Sequence, residues 1–250
     1  MSPAATTDTT EADDREVAPG VYRFGTARIN WYVVEDDDAL TVVDAGLPAH
    51  YPQLAPWLDR HGYTLDDVDA LVLTHGDADH AGFARHLVDR GSSAYCHPDD
   101  HHHLRDLPHG PPAWFLRNLW RPGFLRYVVE MVRDGIRDVD PVTDVEPMND
   151  SDVLDVPGSP RVIHVPGHTP GSCALHLEDR DVLIAGDAIV TRDIYRNREG
   201  DPQLMGPADE DTALARRSLD ELAGLGDVTL LPGHGNPWRG DVDTALDIAS

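Results

Sequence analysis

The chain has 250 residues, 40% of them hydrophobic, enough to bury one sizeable core. Its 45 acidic residues against 20 basic ones give a formal net charge of −25, and every basic residue is arginine because the sequence contains no lysine. A surface this acidic repels nucleic-acid phosphates and anionic membranes, which argues against either as a partner, and two cysteines, Cys96 and Cys173, make no disulfide framework and read as small core residues.

The same charge sets an expected environment. Self-repulsion has to be screened for the compact state to be comfortable, and at about 1 M salt the Debye length is only roughly 3 Å. A salt-rich cytoplasm is therefore expected. Residues 1–17 have neither a basic start nor an apolar core, so they read as a disordered acidic tail rather than a signal peptide or span. One domain over 18–250 follows.

In chain order, residues 21–24, 28–34 and 40–43 run or alternate apolar between Gly and acidic turns and are predicted as three antiparallel strands. The third runs into Asp44-Ala45-Gly46. Residues 50–60 are predicted helical, and 70–74 as a buried strand that delivers Thr74-His75-Gly76-Asp77-Ala78-Asp79-His80, with a helix over 81–89 behind it. Four potential metal ligands in six residues suit a borderline or hard divalent ion, and burying them without a cation would carry a large desolvation cost. Asp79 and His80 are adjacent and would point apart in a helix or strand. For both to reach one cluster the backbone must be a loop, which Gly76 and Ala78 resist little.

Residues 98–150 break the pattern and read as a helical insertion, with Pro-rich turns at 108–112 and a helix predicted over 117–137. The aromatic series Trp114, Phe115, Trp120, Phe124 and Tyr127 is compatible with packing onto the main domain, or with a cap that overhangs the metal ligands. The second half resumes with strands over 161–165, 173–178 and 181–185, a helix over 209–225 and a strand over 228–231. Three of these strands run into Pro166-Gly167-His168, Gly186-Asp187 and Pro232-Gly233-His234. Seven candidate metal ligands result: His75, Asp77, Asp79, His80, His168, Asp187 and His234. The remaining histidines read as structural: His97 at a strand end, His101 to His103 as a solvated polar run, His164 and His176 within strands, His61 and His86 in helix or loop.

The order of these motifs resembles the metallo-β-lactamase-fold superfamily, whose pattern is an H-x-H-x-D-H run, a lone His, an Asp and a last His. The resemblance spans about residues 20–240 and includes PGHTPGS at 166–172, GDA at 186–188 and PGHG at 232–235. It implies an α/β fold: a four-layer αββα sandwich of two mixed sheets with helices outside and two divalent metal ions at one edge. Those ions would most often be zinc, with iron or manganese as alternatives. The first would be held by His75, Asp77 and His168, the second by Asp79, His80 and His234, with Asp187 bridging. The family's second His is Asp77 here, so the run reads H-x-D-x-D-H, and a site of two His and one Asp is harder and more anionic than three His.

PGHTPGS is the run of the glyoxalase II and lactonase branch. The resemblance therefore implies hydrolysis of a small-molecule thioester, lactone or ester by a metal-bridging hydroxide, with Asp79 and Asp187 as the carboxylates at the reacting centre. Asp44 would support the metal loop, and Tyr195 or Arg192 could reach the substrate. Antibiotic hydrolysis is not expected. Nor is classical glutathione thioesterase activity, because only about 15 residues follow His234 and no lysine is present to hold a glutathione carboxylate. A mononuclear iron enzyme of the persulfide dioxygenase kind and a non-catalytic metal-binding module are the alternatives, and a homodimer is compatible with the sequence.

Overall fold

The computed structural model describes residues 15–26, 28–106 and 113–249, with the backbone alone at 113 and 114. The first half builds a seven-stranded sheet whose spatial order is its chain order: β1 (Glu16–Ala18), β2 (Val21–Gly25), β3 (Asn30–Asp36), β4 (Ala39–Val43), β5 (Val68–Val72), β6 (Ser93–Cys96) and β7 (Glu146–Pro147). The pairings from β1 to β4 are antiparallel and those from β4 to β7 parallel. Helices α1 (Leu54–His61) and α2 (Ala84–Val88) provide the parallel crossovers; α3 (His101–Arg105), α4 (Ala113–Asn118) and α5 (Pro122–Arg133) fill the connection from β6 to β7.

The second half builds a five-stranded sheet from β8 (Arg161–His164), β9 (Cys173–Leu177), β10 (Val182–Gly186), β13 (Asp227–Pro232) and β14 (Trp238–Asp241), in the order β14-β13-β10-β9-β8. A separate hairpin, β11 (Val190–Asp193) with β12 (Arg198–Gln203), follows β10; α6 (Thr212–Ser218) precedes β13 and α7 (Val242–Ala249) ends the described chain.

Strand alternation explains the layers. Successive side chains of β3 point to opposite faces, so Trp31 and Val33 join Leu54, Trp57 and Leu87 beneath α1 and α2, while Tyr32 and Val34 face the other sheet. In β10, Val182 and Ile184 face back across the same gap, and Leu183 and Ala185 pack with Leu219 and Leu246 on the outer side. The result is the expected αββα sandwich. The parallel strands carry their C-terminal ends to one edge, where Asp44, His75, Asp187 and His234 follow β4, β5, β10 and β13.

Four expectations are corrected. The helix predicted over 117–137 is two, because Pro122 lacks the N–H that would continue α4 and instead occupies the first turn of α5. Trp120 falls in the break and is 76% exposed, so it is no core residue, whereas Phe124 and Tyr127 are buried; the Trp114 side chain lies outside the described residues. The helix expected over 209–225 starts late, since the Asp211 side chain caps it by accepting from the Leu214 N–H, and turns 3-10 over Leu219–Leu222. The expected tail over 1–17 overruns into the sheet, for Glu16 and Val17 belong to β1; residues 1–14 lie outside the described residues.

Candidate metal centre

All seven expected ligands converge at the sandwich edge. His75, Asp77 and His168 form one group, Asp79, His80 and His234 a second, and Asp187 lies among them, with its carboxylate 3.5 Å from His80 Nε2, 3.5 Å from His168 Nε2 and 3.0 Å from His234 Nε2. His168 Nε2 is 3.3 Å from Asp77 and His234 Nε2 is 3.6 Å from Asp79. Two ligands at 2.0–2.1 Å from one tetrahedral ion stand about 3.4 Å apart, so these spacings are those of coordinating atoms.

Each imidazole is fixed through its other nitrogen. His80 Nδ1 lies 2.8 Å from Asp44, His75 Nδ1 3.0 Å from the Thr74 hydroxyl and His168 Nδ1 3.3 Å from Asp209, while His234 Nδ1 meets the Arg28 carbonyl. Such partners fix ring orientation and raise ligand basicity. They leave Nε2 of His75, His80 and His168, and Oδ1 of Asp187, buried with no hydrogen-bond partner. Four orphaned polar atoms aimed at one volume are costly unless a cation completes them, and the donor set of imidazole and carboxylate fits divalent zinc, iron or manganese.

Asp44 sits at a positive φ of 60° after β4 and also accepts from Thr74 N, tying β4, β5 and His80 together. Gly233 is demanded by proximity, for a Cβ there would fall 2.2 Å from Asp187 Oδ1 and 2.6 Å from His80 Cε1. Tyr195 is buried and stacks on Phe124, and Arg192 pairs with Glu199 and donates to the Asn197 carbonyl.

The metallo-β-lactamase superfamily model matches residues 25–234. This chain belongs to that superfamily. It is similar to the probable metallo-hydrolase YflN of Bacillus subtilis (strain 168), at 26% identity over 240 residues, 90% of this chain and 87% of the relative. Among solved structures it is similar to the metallo-β-lactamase family protein TTHA1429 of Thermus thermophilus, with 27% identity, a TM-score of 0.67 and coverage of 93% of this chain and 79% of that one. A β-lactamase domain protein of Burkholderia ambifaria matches at 26% identity and a TM-score of 0.61, covering 93% and 74% of the two chains.

Four residues that the superfamily motif does not mark complete the centre. Asp100 is fully buried and accepts from Gly76 N, Gly171 N and the Thr169 hydroxyl, clamping the loop of His75 to that of His168. Asp209 backs His168, and the Tyr127 hydroxyl donates to Asp79 at 3.3 Å from the cap helix α5. His103, expected in a solvated run, has Nδ1 3.8 Å from Asp77. The Asp77 side chain is 40% exposed while the histidine ligands are buried, so solvent reaches the centre from the Asp77 side.

The electrostatics match a cation cage. Burial alone would lower the His80 pKa, but Asp187 and Asp44 outweigh it and push it up to about 10. His75 moves well below its ordinary value, through burial and then the neighbouring His80 and His168. Burial would raise Asp187, but His234 and His80 hold it well below the carboxylate range. In the metal-free protein the raised His80 value means that its stabilising contribution is fully present below pH 6.5 and is lost as pH rises through about 10. Thermal unfolding of chelator-treated protein between pH 6 and 10.5 should therefore show a falling melting temperature. Metal-loaded protein, whose ligands must be deprotonated to bind, should not show that decline.

No described helix is long and apolar enough to cross a membrane.

Proposed function

We propose that the protein is a dinuclear metal-dependent hydrolase of a small thioester, lactone or ester, of the glyoxalase II and lactonase kind, with zinc as its metal. The observation that supports this most directly is Asp187, which lies within 3.5 Å of histidines from both ligand groups and so can be shared between two ions. Bound divalent ions supply Lewis acidity, acidifying a coordinated water and polarising a carbonyl oxygen. The chain's own part is placement. Asp44, Asp209, Thr74 and the Arg28 carbonyl aim the imidazoles, and the three Asp ligands offset cationic charge. Tyr127, whose ring packs on His234, holds one Asp79 oxygen by its hydroxyl.

A cavity of about 220 Å³ bordered by Thr26, Arg28, Ile29, Tyr127, Glu130 and Met131 adjoins the centre through Tyr127, which holds Asp79, and Arg28, whose carbonyl meets His234.

The test is metal content by plasma mass spectrometry on protein purified without a metal-binding tag, followed by hydrolysis of a lactone and thioester panel. Two ions per chain with turnover of at least one class is the expected result. One iron per chain with oxygen consumption on a persulfide would replace hydrolysis by sulfur oxygenation, and no metal after reconstitution would leave a non-catalytic module.

A further inference from the structure

The insertion backs the second ligand group and not the first. Tyr127 and Glu130 stand one turn apart on the same side of α5, and they lead to different members of the second group. The Tyr127 hydroxyl donates to Asp79 Oδ2 at 3.3 Å, and its ring lies edge-on to His234 at 6.0 Å between centroids. Glu130 pairs with the Arg28 guanidinium, and the Arg28 carbonyl is the acceptor for His234 Nδ1. Among the described residues, no hydrogen-bond partner of His75, Asp77 or His168 lies on α5; the two rings rest on Thr74 and Asp209.

Arg28 is held at three points. Its guanidinium meets Glu130 and donates through Nε to Asn197 Oδ1, in the turn between β11 and β12, at 3.0 Å, and its backbone N–H donates to the Thr26 hydroxyl at 3.1 Å. The arginine and glutamate side chains are 19% and 27% exposed, so water screens their attraction less than it screens that of a surface pair. The carbonyl that aims His234 thus belongs to the residue whose side chain is tied to α5. The loop carrying His234 has its own anchor, since the Asn30 amide donates to the carbonyls of Pro232 and Gly235. What Arg28 sets is therefore the direction of the ring, not the course of the chain.

We infer that α5 is an integral part of the second ion's site, with Glu130 a positioning residue for His234, acting through Arg28, and Tyr127 a positioning residue for Asp79. The inference rests on the proposed reading of Asp79, His80 and His234 as ligands of a second ion. It gives the insertion a role beyond covering the centre, because how firmly that ion is held depends on how α5 is seated. Arg28, Tyr127 and Glu130 also border the cavity of about 220 Å³, so a substrate lodged there would lie against the contacts that orient two of the ligands. Occupancy of the cavity and retention of the second ion are thereby linked.

Chelator competition on the zinc-loaded chain tests this by resolving the release of each ion, with Asp77→Ala and Asp79→Ala marking the first and second steps. Tyr127→Phe and Glu130→Gln should each weaken the second step by about 10-fold, the low end for losing a partner that orients a ligand, and leave the first step unchanged. Arg126→Gln, which removes the exposed second partner of Glu130, should change neither step. Far-ultraviolet circular dichroism and the melting temperature of metal-free protein show that each variant is folded, and a variant that only loosened the fold would weaken both steps alike. Equal weakening of both steps, or a second step that Glu130→Gln leaves unchanged, overturns the inference. A single zinc per wild-type chain sinks the dinuclear reading by itself. If Asp79→Ala abolishes binding of that zinc and Glu130→Gln weakens it, the positioning role stands; binding lost only in Asp77→Ala, or no zinc at all, overturns both.

Discussion

If the centre is dinuclear as proposed, replacing Asp187 with alanine is expected to remove at least one of the two metal ions and to weaken retention of the other by more than about 100-fold. Loss of an outer-shell partner alone typically costs 10–100-fold in metal affinity. Asp187 is itself a candidate ligand rather than such a partner, and its carboxylate faces His80, His168 and His234 at 3.0–3.5 Å. Its removal also leaves three buried imidazoles without the negative charge that favours His80 and His234 in their cationic forms when metal is absent. Hydrolysis at limiting metal should fall with occupancy. Asp187→Asn keeps the volume and removes the charge, so it should lose metal while retaining the far-ultraviolet spectrum. Plasma mass spectrometry with titration calorimetry reads both quantities. A variant that keeps two tightly held ions would dispose of the shared carboxylate and with it the dinuclear reading.

The seven candidate ligands were legible because each lies in a loop that follows a strand. An apolar run that stops at Thr74, Val165, Ala185 or Leu231 and turns through Gly before a His or Asp leaves little freedom about where that side chain goes, and six of the seven stand in the order that the superfamily motif demands. The supporting shell was not legible. Asp100 reaches Gly76 across 24 residues and Gly171 across 71, and Asp209 reaches His168 across 41; nothing local distinguishes them from the other acids of so acidic a chain. Strand β12, Arg-Glu-Gly-Asp-Pro-Gln, has no alternation and pairs with β11 only because the chain doubles back there. The split of α4 from α5 had a visible signal in Pro122, but the apolar periodicity on both sides outweighed it.

Asp100 carries the largest stability effect expected from a residue that touches no ligand. Its carboxylate accepts at 2.8 Å from Gly76 N, at 2.7 Å from Gly171 N and at 2.6 Å from the Thr169 hydroxyl, all buried. Asp100→Ala strands the two glycine N–H donors, while the Thr169 hydroxyl retains Ser172 Oγ as a partner at 2.8 Å. Each unsatisfied buried donor costs about 1–3 kcal/mol. Two such donors sum to about 2–6 kcal/mol, which in a chain of this size lowers the melting temperature by roughly 4–24 °C. Asn at this position still accepts but turns an NH₂ toward a donor, so its cost should fall between wild type and Ala. The loss should also be asymmetric at the metals. Gly76 and Thr169 each adjoin a ligand of the first group, His75 and His168, whereas His80 and His234 of the second are oriented by Asp44 and the Arg28 carbonyl, which Asp100 does not touch. Calorimetric unfolding and stepwise metal titration of Asp100→Ala and Asp100→Asn would show a lowered melting temperature with one site weakened. An unchanged melting temperature, or equal weakening of both sites, would mean that Asp100 does not clamp the two loops.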